Sequence, residues 1–108
     1  VNDNRIQKVL SHIRKNIYKT VDIDSLAAIS CLSKDHFIRL FKKEVGTTPL
    51  QYINQKKIEK AQLILITEDI PVKNIAYLLA YEDHSYFNRL FKKITDVTPQ
   101  QYRELYKK

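Results

Sequence analysis

The chain has 108 residues, with 19 Lys+Arg against 12 Asp+Glu and a formal net charge of +7. That length fits one compact domain or two very small lobes, and a 44% hydrophobic content excludes wholesale disorder. A single Cys excludes an intramolecular disulfide framework and points to a reducing compartment, a single Gly excludes a Gly-rich phosphate loop and a turn-rich all-β fold, and no apolar run reaches membrane-span length.

A first helix is expected over about residues 4–17, where Ile6, Val9, Leu10, Ile13 and Ile17 recur at helical spacing. Asp22 caps a short helix to about Ser30 that buries Leu26 and Ile29. Cys31-Leu32 makes a turn. Ser33 then caps a helix over residues 34–45, and Gly46 ends it in the left-handed conformation. Thr48-Pro49-Leu50-Gln51 is a strong helix start, with Thr at N-cap, Pro at N1 and Gln at N3 of a capping box. The helix from Pro49 to about Ile66 carries Leu50, Ile53, Ile58, Ala61, Ile64 and Leu65 on one broad face. Tyr52, Leu63 and Ile66 lie off that face, which suits a helix packed against two lobes.

Pro71 opens a short helix to about Leu79 that buries Ile75 and either Leu78 or Leu79. Ala80-Tyr81-Glu82 turns, Asp83 caps a helix to about Ile94, and Thr98-Pro99-Gln100-Gln101 opens a last helix over residues 99–107. The expected fold is all-α with seven helices. Residues 1–48 and 68–108 form two helix-turn-helix subdomains, and residues 49–67 are the linking helix.

The chain repeats itself. FIRLFKKEVGTTPLQY over residues 37–52 matches FNRLFKKITDVTPQQY over residues 87–102 at ten positions. Upstream, Leu26-Ala27 answers to Ile75-Ala76 with a one-residue slip. Two copies of one device suit a binder that reads two adjacent sites better than an enzyme.

In each copy the second helix has two faces. Phe37, Leu40, Phe41 and Val45 form a core stripe, as do Phe87, Leu90, Phe91 and Ile94. Opposite them stand Asp35, Ile38, Arg39 and Lys42, and in the second copy Ser85, Asn88, Arg89 and Lys92. A short helix, a tight turn and a second helix with a polar, basic outer face is the helix-turn-helix pattern, whose second helix enters the DNA major groove. Arg39 and Arg89 suit guanine, Asn88 suits adenine, and Ile38 suits a thymine methyl. Asp35 suits cytosine N4 or the orientation of Arg39. Lys34, Lys42, Lys43, Lys92 and Lys93 suit phosphate, and the helix starts at Thr48 and Thr98 offer amides to further anions. A linking helix of about 18 residues spans ~27 Å, close to the ~34 Å between successive major grooves on one DNA face. One monomer is thus expected to read two adjacent grooves.

Rival chemistries find less support. His12, His36 and His84 are the only histidines, and no second Cys or His cluster completes a site with Cys31, Asp35 and His36. No metal, cofactor or catalysis is expected. The alternative is a helical protein-interaction module that contacts RNA polymerase with little DNA specificity of its own. Single-stranded RNA is disfavoured because the exposed stripes lack stacking aromatics. A membrane surface is disfavoured because each amphipathic face has an intramolecular partner.

These residues resemble the DNA-binding domain of AraC/XylS-type bacterial transcription regulators. The likeness is carried by Leu26-Ala27, Phe37 to Lys43, Gly46, Thr48-Pro49 and Tyr52-Ile53. In the second half Ile75-Ala76, Ser85-Tyr86-Phe87, Arg89, Phe91-Lys92-Lys93, Thr98-Pro99 and Tyr102-Arg103 carry it. The resemblance implies seven helices, two helix-turn-helix motifs bridged by a long helix, and binding to double-stranded promoter DNA in the bacterial cytoplasm, at the nucleoid. It implies Asp35, Ile38, Arg39, His84, Ser85, Asn88 and Arg89 as base-facing positions, and RNA polymerase as a second partner. It also implies an N-terminal sensory, dimerisation or receiver domain, in line with a chain that begins at Val1 and has no Met. Where the family usually has a turn Gly, this sequence has Cys31 and Ala80. Either those turns take another geometry or they bear the cost of a left-handed non-Gly residue, ~1 kcal/mol or more.

Overall fold

A computed structural model describes all residues from Val1 to Lys108. The chain forms seven helices and no strand: α1 (Asn4–Lys15), α2 (Ile23–Ser30), α3 (Lys34–Val45), α4 (Pro49–Thr67), α5 (Val72–Leu78), α6 (His84–Thr95) and α7 (Pro99–Tyr106). The all-α expectation holds.

The starts follow from side-chain caps. Asp22 Oδ1 accepts the Ser25 amide at 2.7 Å, Ser33 Oγ accepts the His36 amide at 3.3 Å, and Asp83 Oδ1 accepts the Ser85 amide at 2.8 Å. Thr98 and Gln101 satisfy each other's amides at 3.1 and 2.9 Å, and Thr48 and Gln51 do the same at 3.2 and 3.1 Å. Two boundaries differ from the sequence reading. Asn16 ends α1 early because its side-chain amide donates to the His12 carbonyl at 2.8 Å. Pro71 is extended, at φ −56° and ψ 145°, so α5 begins one residue after it.

The chain divides into two compact units, Val1–Asn54 and Gln55–Lys108. The division falls inside α4 rather than at its ends. Ile53 belongs to the first core, with Ile6, Val9, Ile13, Leu26, Ala27, Phe37 and Phe41. Ile58, Ala61, Ile64 and Leu65 belong to the second, with Ile75, Ala76, Leu79, Tyr81, Phe87 and Phe91. The linking helix therefore has no body of its own: its first turns close one core and the rest founds the other.

The repeat reappears in the packing. Phe37 and Phe41 lie 5.8 Å apart, and Tyr52 closes on Phe41 edge-on at 5.7 Å. Phe87, Phe91 and Tyr102 repeat this at 6.0 and 5.6 Å. The spacing of Ile6, Val9 and Ile13 on α1 recurs as Ile58, Ala61 and Leu65 on α4. Each unit is one helix, a pair joined by a tight turn, and a closing helix.

Two residues expected in the cores, Leu50 and Ile94, are exposed. Leu50 is outward because Pro49 and Ile53, a turn apart, take the inward positions. Ile94 is outward because Thr95, four residues after Phe91, turns inward and donates to the Phe91 carbonyl at 2.9 Å. On α5 it is Leu79, not Leu78, that is buried.

Candidate nucleic-acid interface

The two tight turns close in the same way. In the first, the Cys31 amide donates to the Ala28 carbonyl at 3.1 Å and the Leu32 amide to the Ala27 carbonyl at 3.2 Å. In the second, the Ala80 amide donates to Tyr77 at 2.9 Å and the Tyr81 amide to Ala76 at 3.0 Å. This crossed pair is the Schellman closure, which needs a left-handed residue after the helix. Cys31 and Ala80 occupy that conformation at φ 60° and 66°. The turns therefore bear the strain rather than avoid it. The second turn is one residue longer, with Glu82 added before the N-cap, which accounts for the slip in the repeat.

Each turn aims a helix with Phe inward. On α3, Phe37 and Phe41 are fully buried, and Lys34, Asp35, His36, Arg39, Lys42 and Lys43 are exposed. Lys34 stands 3.7 Å from the Asp24 carboxylate. His36, Arg39, Leu40 and Lys43 line a shallow notch of about 280 Å³. Three side chains able to carry positive charge around one concavity suit a phosphate. Sequence reading left His36 out of this set, and its i, i+3, i+7 spacing with Arg39 and Lys43 is the signal that would have included it. Ile38 departs from its expected place: it is half-buried and packs against the first core.

On α6, Ser85, Arg89, Lys92 and Lys93 are exposed. His84 is half-buried, its ring edge-on to Tyr77 at 6.5 Å. Asn88 is half-buried too, and its Oδ1 is enclosed without a hydrogen-bond partner. Bidentate pairing with adenine uses both ends of the amide, so Asn88 must rotate outward to read one. The helix starts at Thr48 and Thr98 are poorer anion sites than expected. The capping boxes already engage the amides of Thr48, Gln51, Thr98 and Gln101, and Pro49 and Pro99 have none.

The second unit also contains contacts that the sequence reading missed. Lys57 of α4 is 4% exposed, and its Nζ donates to the Leu79 carbonyl at 2.6 Å. Burial pulls its ammonium down to about 8. Arg103 of α7 closes the C-terminal end of α4, with Nε on the Leu65 carbonyl at 3.0 Å and Nη2 on the Glu68 carbonyl at 3.1 Å. Lys107 donates to the same Glu68 carbonyl at 2.8 Å. No group of three or more His, Cys, Asp or Glu side chains converges as a metal site would require. No helix is long and apolar enough to cross a membrane.

A helix-turn-helix domain family matches residues 26–105. The MmsAB operon regulatory protein of Pseudomonas aeruginosa is 34% identical over 94 residues, covering 87% of this chain and 31% of that protein. The arabinose operon regulatory protein of Escherichia coli is 30% identical over 102 residues, covering 94% of this chain and 35% of that protein. The chain thus spans about a third of the length of these relatives. In fold it is similar to the DNA-binding domain of the global transcriptional factor AdpA, solved in complex with a target DNA. That likeness has a TM-score of 0.90 and 23% identity, over 95% of this chain and 93% of the other.

Proposed function

From the premise that this chain belongs to the AraC/XylS-type family of helix-turn-helix domains, whose members are DNA-binding transcription regulators, we propose that it binds double-stranded promoter DNA sequence-specifically and thereby regulates transcription. The observation that carries this reading is the doubled device: a Schellman turn with a left-handed residue, followed by a helix with two Phe inward and a polar, basic stripe outward. In this reading α3 and α6 enter adjacent major grooves, one unit to each. Asp35, Arg39, Ser85 and Arg89 face bases, Ile38 lends its outer edge to a thymine methyl, and His84 and Asn88 approach from the half-buried rim. Lys34, Lys42, Lys43, Lys92 and Lys93 hold phosphates and fix register.

RNA polymerase and a sensory, dimerising or receiver domain belong to the same reading as partners of the regulator, and the bacterial cytoplasm as its location. Family membership supports both. The test is selection of bound duplexes from a random library at near-physiological salt. The expected result is two enriched, directional blocks about 10–11 base pairs apart. A single block would assign base reading to one unit and phosphate holding to the other. No enrichment at any salt would overturn DNA reading and leave the protein-interaction module.

A further inference from the structure

Lys57 is the one charged side chain buried in the chain. A buried ammonium is costly unless it is held, and two of the groups that meet it lie either side of one residue. Nζ donates to the carbonyl of Leu79 at 2.6 Å and lies 5.7 Å from the ring centroid of Tyr81. Between them is Ala80, the left-handed residue of the second turn. Leu79 is the C-cap of α5, so its carbonyl is among those that a helix end leaves open. A cation is favoured there by the helix dipole and over an aromatic face by the ring quadrupole.

The first unit has no such brace. The shared spacing of Ile6, Val9 and Ile13 with Ile58, Ala61 and Leu65 puts Arg5 in the place of Lys57. Arg5 stays exposed, paired with Asp3 at 2.8 Å. The first turn has its own small device instead, the buried Ser30 hydroxyl on the Ala27 carbonyl at 2.7 Å. The second turn is also longer by Glu82. An added residue brings two more soft dihedrals, and these must be restrained if α6 is to have one direction.

We propose that Lys57 is the positioning residue of the second recognition helix: it grips the turn on both sides of Ala80 and so fixes where Ser85 and Arg89 stand. This rests on the reading that α6 meets base edges. Loss of the brace leaves the first recognition helix untouched, so its signature is a split between the two DNA blocks.

The experiment is the random-duplex selection carried out on the wild type, Lys57→Met, Lys57→Arg and Arg89→Ala, each checked by circular dichroism. Arg89→Ala identifies the block read by α6. Lys57→Met is expected to lower enrichment of that block at least tenfold while the other block stays within threefold of wild type. Lys57→Arg, which keeps a charged donor, restores most of it. A folded Lys57→Met protein with both blocks intact, or with both weakened alike, overturns the proposal. Should Lys57→Met fail to fold, 15N NMR of the wild type decides. A slowly exchanging Lys57 ammonium coupled to the Leu79 carbonyl supports the brace, and a freely exchanging one overturns it. A wild type that enriches nothing fails at the earlier step, the reading of DNA itself, and the proposal falls with it.

Discussion

Cys31 and Ala80 share one left-handed backbone conformation, φ 60° and 66°, at the same point of two turns that differ in length. Neither can relax, because the amides of Leu32 and Tyr81 depend on that conformation to reach Ala27 and Ala76. A non-Gly residue there costs about 1–2 kcal/mol, and Gly removes that strain at some cost in unfolded-chain entropy. Cys31→Gly and Ala80→Gly are each expected to stabilise the chain by about 0.5–1 kcal/mol, a few degrees in thermal unfolding. An unchanged or lowered midpoint in both would show that the turns are not strained.

Asn88 provides a second reservoir. Its Oδ1 is enclosed with no partner, a condition that costs about 1–3 kcal/mol. Ile38 holds the matching place on α3 and packs against its core. Asn88→Ile is therefore expected to raise stability by about 1–2 kcal/mol while relaxing base preference at one position of the second block. Calorimetry and the duplex selection read the two effects separately. A destabilised variant would mean that the amide is satisfied in solution.

These cases mark what the sequence could disclose. The caps, the four Phe of the two cores and the outward Arg and Lys residues were legible because each depends on spacing along its own helix, whereas Tyr52, set off the apolar face, and Tyr81, set in a turn, were not legible as core. The burial of Lys57 was not legible either. Asn54-Gln55-Lys56-Lys57 reads as a solvated run, and the Leu79 carbonyl that draws Lys57 inward is 22 residues away. Nor did periodicity show that Thr95, not Ile94, turns inward on α6; it did show that α4 packs against two lobes, but not that the division falls between Ile53 and Ile58. Pattern shows that a face is apolar; it does not show which body covers it. On α3 the same limit applied to Ile38, whose place at the edge of the outer stripe concealed its contact with the core.

Stability should respond to pH through Lys57. Burial lowers its ammonium to about 8 in the folded chain, whereas an unfolded Lys holds its proton to about 10.4. Between about pH 8 and 10 the unfolded state binds more protons, so stability rises with pH. This contribution is lost as pH falls through 8. Tyr81 acts in the opposite sense, since burial raises its phenol: above about pH 10 the unfolded state loses a proton that the folded state keeps, and stability falls. Wild type is expected to gain stability relative to Lys57→Met from pH 7.5 to 9.5 in urea unfolding. A constant difference would show that the ammonium is not desolvated.

Arg103 ties the end of the chain to the end of α4. Its guanidinium donates to the Leu65 and Glu68 carbonyls at 3.0 and 3.1 Å, where the helix leaves carbonyls open. Hydrogen bonds from charged donors contribute about 1.5–3 kcal/mol, discounted here because the Glu68 contact is exposed. Arg103→Ala is expected to cost about 2 kcal/mol, with Arg103→Lys recovering less than half, because a single ammonium does not reproduce the fork. Denaturant midpoints check this, and a full rescue by Lys would reduce the contact to simple charge.

Arg39 and Lys42 lie three residues apart on the exposed side of α3, and they should fail in different ways. On the proposed reading Arg39 pairs with a base, so Arg39→Ala is expected to relax preference at one position of the first block by about 1–3 kcal/mol. On the same reading Lys42 holds a phosphate, so Lys42→Ala should weaken binding to all duplexes alike and reduce the slope of log affinity against log salt by about one unit. His36 and Lys43 share a notch with Arg39, and a phosphate seated there would give Lys43→Ala the same salt signature as Lys42→Ala. Titrations at several salt concentrations on selected and scrambled duplexes separate the two kinds of loss. If Lys42→Ala left the slope unaltered, or Arg39→Ala left base preference intact, the division of α3 into a base-reading stripe and a phosphate-holding flank would fail. Its basic face would then be an ordinary solvated helix surface.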